Sequence, residues 1–187
     1  PSACWILQQL WYPVVMYIVR ATYDRRIGKV LLAFVRAFRL ISKPVYPEEK
    51  RSQRPAWQPR RLPNALAVLI LHQLEKLELF NSHRKQIAAL YHSAFPDGHG
   101  VLRYTIRTPH AARIRELARR KKIFLGDWYT TAIAPVGVSY EAIGYDPTNC
   151  PMAERIVGEI LNLPTDIHIT EQDAHWIIST IKSLGAN

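Results

Sequence analysis

The stretch CPMAERIVGEILNLPTDIHITEQD, residues 150–173, decides how the chain is read. Pro151 suits the first position of a helix, where its missing N–H would have no intrahelical partner and its ring presets φ. Met152, Ile156 and Ile160 then recur at helical spacing on one side. Leu163 and Pro164 interrupt that period. Thr170, followed three residues later by Asp173, forms an acidic variant of the N-capping box, and EQDAHWIISTIKSL continues it as a last helix ending at Gly185. Two helix starts separated by a short non-helical stretch are therefore expected.

Upstream, residues 64 to about 95 contain no proline or glycine. Leu66, Ile70, Leu74, Leu77, Ala88, Tyr91 and Phe95 recur there at helical spacing, which predicts one long helix bent near the polar residues 81–84. PDGHG stops it. VLRYTIRT has the two-residue alternation of a strand, PHAARIRELARRKK reads as a short basic helix, and IFLGDWYTTAIAP reads as a second strand running into a loop. VSYEAIGYDPTN is expected to be irregular surface. Strand, helix, strand and flanking helices predict an α/β chain, more narrowly an α+β lobe.

The front of the chain differs. Residues 1–62 hold 12 Lys and Arg against 3 Asp and Glu, whereas the remainder holds 13 against 12, so the front carries +9 of the +10 formal charge. That points to one basic segment with its own partner rather than to a nucleic-acid-binding domain. CWILQQLWYPVVMYIV is apolar and aromatic, but Gln8, Gln9 and Pro13 interrupt it, and it is shorter than the roughly 20 residues of a spanning helix. It also lacks the form of a signal peptide. In YDRRIGKVLLAFVRAFRLISK, Ile27, Val30, Leu31, Phe34, Phe38 and Ile41 share a face, with Lys29, Arg36, Arg39 and Lys43 away from its centre. This is a basic amphipathic helix. Five prolines then make residues 43–63 an irregular connector. The expected organisation is an amphipathic helical segment at 1–46, a connector at 47–62 and a lobe at 63–187.

Cys4 and Cys150 form neither a disulfide framework nor a metal pair, which fits a reducing compartment, so the expected location is cytoplasmic, peripheral to a membrane if the front segment binds one. His72 and His83 share a helix face but lie roughly 16 Å apart at 1.5 Å per residue, too far to ligate one ion, and no metal is expected. Lys50, Lys76, Lys85, Lys121 and Lys122 sit in charged or helical surface contexts. The basic run at 115–122 reads as a solvated helix face.

The quoted stretch and its continuation resemble the carboxyl-terminal signature of the DegT/StrS-type aminotransferases. The resemblance lies in Pro151, Ala153 and Glu154, then Leu163-Pro164, then Thr170 and Asp173. A second match, RRLPNALAVLILHQLEKLELFNSHRKQIAALYHSAF, is similar to the family's long helix through Gln73, Leu74, Lys76, Leu77, Asn81 and Arg84. Together they cover about residues 60–187. The pattern departs at Asp166 and Ile167, where the family commonly has a His-Pro-like pair. It departs again at Pro59, where an Asn commonly reaches the cofactor phosphate of the neighbouring subunit.

The resemblance implies the small carboxyl-terminal lobe of a fold-type I, pyridoxal-phosphate-dependent enzyme, preceded by a large lobe that carries the Schiff-base lysine. On that reading this chain, which starts at Pro1 without an initiator Met, is a fragment with no catalytic residue and no activity alone. The implied reaction is amino transfer, with glutamate the expected donor, to a nucleotide-linked keto-sugar in a homodimer. Asp127, Trp128 and Tyr129 occupy the place of a loop directed at the substrate: the aromatics would stack on sugar or nucleotide, and Asp127 would accept hydroxyl hydrogen bonds. The bland alternative is that Trp128 and Tyr129 pack the lobe. For residues 1–45 a membrane surface and burial against another lobe or subunit are both open. The rival function is a non-catalytic membrane-surface or interaction protein.

Overall fold

The computed structural model describes residues 1–23, 27–42, 45–55, 61–121, 123–126 and 128–184. Pro59, Lys122, Asp127 and Gly185 lie outside the described residues. The chain divides into two units, Pro1–Glu75 and Lys76–Asn187.

The front unit is helical among the described residues. Helix α1 (Ala3–Thr22) starts on a Ser2 cap and continues through Pro13, and α2 (Ile27–Ala37) packs on it. Val15, Val19, Val35 and Ile41 are buried at that contact, with Leu31 and Leu32 against them. Gly28 lets α2 approach, because a Cβ there would run into the backbone of Val19 and Tyr23. Among its described residues the connector contains a short helix, α3 (Pro47–Lys50). Helix α4 (Asn64–Leu74) packs on α1. No helix among the described residues is long and apolar enough to cross a membrane.

The expected single long helix is two. It stops at Leu74 and restarts as α5 (Leu77–Ala94), so the break falls at Glu75 and Lys76, not at 81–84. No proline or glycine marks the place. It coincides with the border of the two units.

The carboxyl-terminal unit is built on strand β1 (Tyr104–Arg107), as expected, paired antiparallel with β2 (Ile160–Leu163). The second strand is a correction: helix was expected through Ile160, and the strand was expected in IFLGDWYTTAIAP, which contributes only a bridge from Gly126 to Asn162. Pairing explains the outcome. In register with Tyr104 and Ile106, Leu163 and Leu161 point into the core, a gain that the helical spacing of Met152, Ile156 and Ile160 cannot reveal. Helix α6 (Ala111–Arg120) covers the pair with Ala111, Ile114 and Ala118. The predicted irregular segment holds a four-residue helix, α7 (Tyr140–Ile143), and a 3-10 turn at Pro147–Asn149. Helix α8 (Pro151–Glu159) starts at the predicted proline, and α9 (Glu171–Ser183) starts on the predicted Thr170–Asp173 box, with both reciprocal bonds present.

Ile87, Ala88 and Tyr91 of α5, Phe95 at its C-cap, and Ala174, Ile177 and Ile181 of α9 complete one core with the strand pair. Buried apolar area of this kind is the main source of stability in such a lobe. The result is a mixed, mainly helical fold with one two-stranded sheet among the described residues.

Candidate functional site

The turn after β2 is architectural. Tyr91 Oη donates to Pro164 O at 3.0 Å, and the wholly buried Thr165 hydroxyl reaches Val101 O and Leu102 O, each at 2.8 Å. His83 Nε2 lies 3.1 Å from Asp166 O. Burial and the nearby Asp173 and Asp166 carboxylates push the Tyr91 phenol well above its ordinary range, so it stays a donor. These bonds fix the floor of a cleft of about 420 Å³.

Asn162 forms the wall. It is buried on the face of β2 away from the core; its Oδ1 accepts from Thr105 Oγ1 at 3.0 Å and its Nδ2 donates to Trp128 O at 2.6 Å. Gly126 bridges the same residue through N–H to Asn162 O at 2.8 Å, and a Cβ on Gly126 would stand 2.9 Å from that of Asn162. The close approach brings the following loop over the sheet. Trp128 and Tyr129, joined by a cis peptide bond, stack on each other with ring centroids 5.7 Å apart. The Arg103 guanidinium sits 3.6 Å from the Trp128 ring centroid, a cation–π contact that orients it. Arg84, held by Asn81 Oδ1 at 3.4 Å, also lines the cleft, with Asp166.

Of the three sequence-predicted site residues, Trp128 and Tyr129 come together at the surface, 54% and 57% exposed, and neither joins the core. Asp127 lies outside the described residues. Arg84 was read only as part of a helix motif; Arg103 and Asn162 were not singled out. The strand alternation that exposes Arg103 on the same face as Thr105 was the available signal for the first. For Asn162 there was none, because its partners are 57 and 34 residues away. In the basic run, Arg120 pairs with Glu116 and Arg115 Nη2 donates to Ile160 O, so those charges serve the helix and the end of β2. Among the described residues no three His, Cys, Asp or Glu groups converge for a metal.

Two guanidinium groups, one carboxylate and a half-exposed tryptophan suit an anionic, hydroxyl-rich ligand. No described residue lining the cleft is a lysine.

The model of the DegT/DnrJ/EryC1/StrS aminotransferase family matches residues 35–182. The chain belongs to that family. Solved structures agree in fold. A DegT/DnrJ/EryC1/StrS aminotransferase from Brucella abortus matches with TM-score 0.56 and 22% identity, over 68% of this chain and 37% of that one. S. venezuelae DesV, in complex with a ketimine intermediate, matches with TM-score 0.55 and 20% identity, over 73% and 42%. Spr1654 of Streptococcus pneumoniae, described as a sugar aminotransferase and solved in its PMP form, matches with TM-score 0.51 and 20% identity, over 61% and 33%. The chain thus spans about a third to two-fifths of the length of these family structures. Among curated proteins none gives a significant sequence match.

Proposed function

We propose that the chain is the carboxyl-terminal portion of a pyridoxal-phosphate-dependent aminotransferase that moves an amino group, with glutamate as donor, to a keto-sugar nucleotide. The observation that carries this is the family match over residues 35–182 in a chain spanning 37% of a family member's length. Residues 63–187 are the small lobe, 47–62 the connector and 1–46 an amphipathic insertion. The working enzyme is a cytoplasmic homodimer, and residues 1–45 meet a membrane surface.

The described residues of the cleft do not fit a complete cofactor site, because none of them is a lysine able to bond the cofactor aldehyde. Pyridoxal phosphate and its lysine belong to the large lobe. The small lobe binds and orients. Arg103, braced on Trp128, and Arg84 supply positive charge for the phosphates of a nucleotide-linked sugar; Tyr129 offers an open ring to base or sugar; Asp127 accepts from hydroxyls. Asn162 holds the loop backbone, so that binding costs little reordering.

The test is to mix the purified chain with pyridoxal phosphate, reduce with borohydride and locate label by mass spectrometry. Scattered substoichiometric labelling of exposed amines such as Lys50 and Lys121, without turnover, is expected; joined to its large lobe, the enzyme should transfer the amino group from glutamate to a keto-sugar nucleotide. Stoichiometric label on one lysine of this chain, with turnover, would place the machinery here and overturn the assignment.

A further inference from the structure

The hairpin of α1 and α2 is closed on itself, yet each helix keeps a second apolar face. On α1, Leu7, Trp11, Val14 and Ile18 are exposed at i, i+4, i+7 and i+11. On α2 and just past its end, Ile27, Val30, Phe34 and Phe38 are exposed at i, i+3, i+7 and i+11, with Val30 at 70% and Phe38 at 65%. The rings of Phe34 and Phe38 touch, with centroids 4.4 Å apart. Lys29 and Arg36, seven residues apart, lie on the side of α2 opposite this stripe by helical periodicity. That is the division of a helix lying in an interface plane.

Charge favours a lipid surface over a second copy or residues 63–187. Residues 1–45 contain seven Lys and Arg and one acidic residue, Asp24. A second copy would bring like charge to like charge, and residues 63–187, with 13 basic and 12 acidic residues, offer no acidic counterpart. Residues 1–34, which include all of α1 and most of the α2 stripe, also lie outside the span that matches the family, so the common fold does not account for these faces. Where α2 ends, a cleft of about 710 Å³ is lined by Gln8, Arg36, Arg39, Ser42, Tyr46 and Glu48 among others. Gln8 Nε2 donates to Arg39 O at 2.5 Å, and Arg39 has a positive φ of 54°, which fixes the turn there. Neither Arg36 nor Arg39 has an ion-pair partner among the described residues.

We infer that this hairpin docks on an anionic lipid surface, with the α2 stripe and Trp11 among the acyl chains and a lipid phosphodiester in the Arg36–Arg39 cleft. The inference rests on the interfacial reading of residues 1–45 and gives it a surface and a lipid class.

The full chain is sedimented with phosphatidylcholine vesicles, with and without phosphatidylglycerol, at low and high salt. Binding about tenfold tighter with phosphatidylglycerol, and weaker at high salt, is expected. The pair Arg36→Gln and Arg39→Asn, Asn being tolerant of positive φ, should lose about tenfold on the anionic vesicles and flatten the salt response. Phe34→Ser with Phe38→Ser should remove binding to both vesicles at unchanged helix content; Val30→Glu probes the same stripe should that pair unfold. No binding at low salt would end the interfacial reading itself. Binding that ignores phosphatidylglycerol or the arginine pair would keep that reading and overturn the headgroup site. Binding by the stripe variants at the level of the parent chain, or their conversion of a dimer to a monomer, would overturn the stripe as the lipid contact.

Discussion

In the carboxyl-terminal unit Leu161 and Leu163 are buried with Tyr91, Ile114 and Ile177, while in the front unit Phe34 of α2 and Phe38 just past its end stand in solvent. The difference lies in how much apolar surface each helix has relative to what its neighbours cover. Helices α5 and α9 pack on each other, and their buried residues join those of the strand pair in one core. Helix α2 is apolar around most of its circumference; α1 covers the face of Gly28, Leu31, Leu32 and Val35 and leaves the other open. Hydrophobic periodicity finds faces, but it does not say which of two faces a neighbour takes.

The largest effect expected from this contrast is in Leu161→Ala, which should cost about 3 kcal/mol by opening a cavity in a closed core. Phe34→Ala removes a larger side chain and should stay within about 0.5 kcal/mol in the chain alone. Urea unfolding followed by circular dichroism compares them directly; equal losses would mean that the front stripe is packed after all.

Asn162→Ala tests whether the second face of β2 matters as much as its core face. It strands Thr105 Oγ1 and Trp128 O, for a loss of about 2 kcal/mol, and should raise the mobility of Trp128 in fluorescence anisotropy. A stable variant with an unchanged Trp128 signal would show that the loop is held elsewhere.

A smaller effect concerns the cap of α9. Thr170→Ala should cost about 1 kcal/mol. The Thr170 hydroxyl and N–H hold the Asp173 carboxyl below its ordinary range. Its contribution is therefore full above the unfolded carboxylate value of about 4 and disappears as pH falls through the lower folded value. The stability difference between the parent chain and Asp173→Asn should accordingly be flat at neutral pH and shrink in acid; a difference that grew in acid would refute the cap.

Much of the carboxyl-terminal unit was legible because its signals are local: the proline before α8, the Thr170 box, the alternation of β1 and the face of α5. The second strand was not, since four residues carry too little pattern and their burial comes from a partner more than fifty residues away. The break at Glu75 and Lys76 has no local signal either. At the site, the sequence pointed to the aromatic pair, but its bracing by Arg103 and Asn162 depends on contacts that only the folded lobe creates.

The central claim is the proposed one, that Trp128 and Tyr129, exposed beside the cleft and outside the core, contact the substrate. It is tested most directly by Trp128→Ala and Tyr129→Phe in the two-lobed enzyme, with kinetics for the sugar substrate and thermal midpoints measured together. The account predicts kcat/KM lower by about tenfold or more for Trp128→Ala, with stability changed by no more than about 0.5 kcal/mol. A midpoint lowered by several degrees in both variants with unchanged sugar kinetics would contradict it and make the pair part of the lobe's packing.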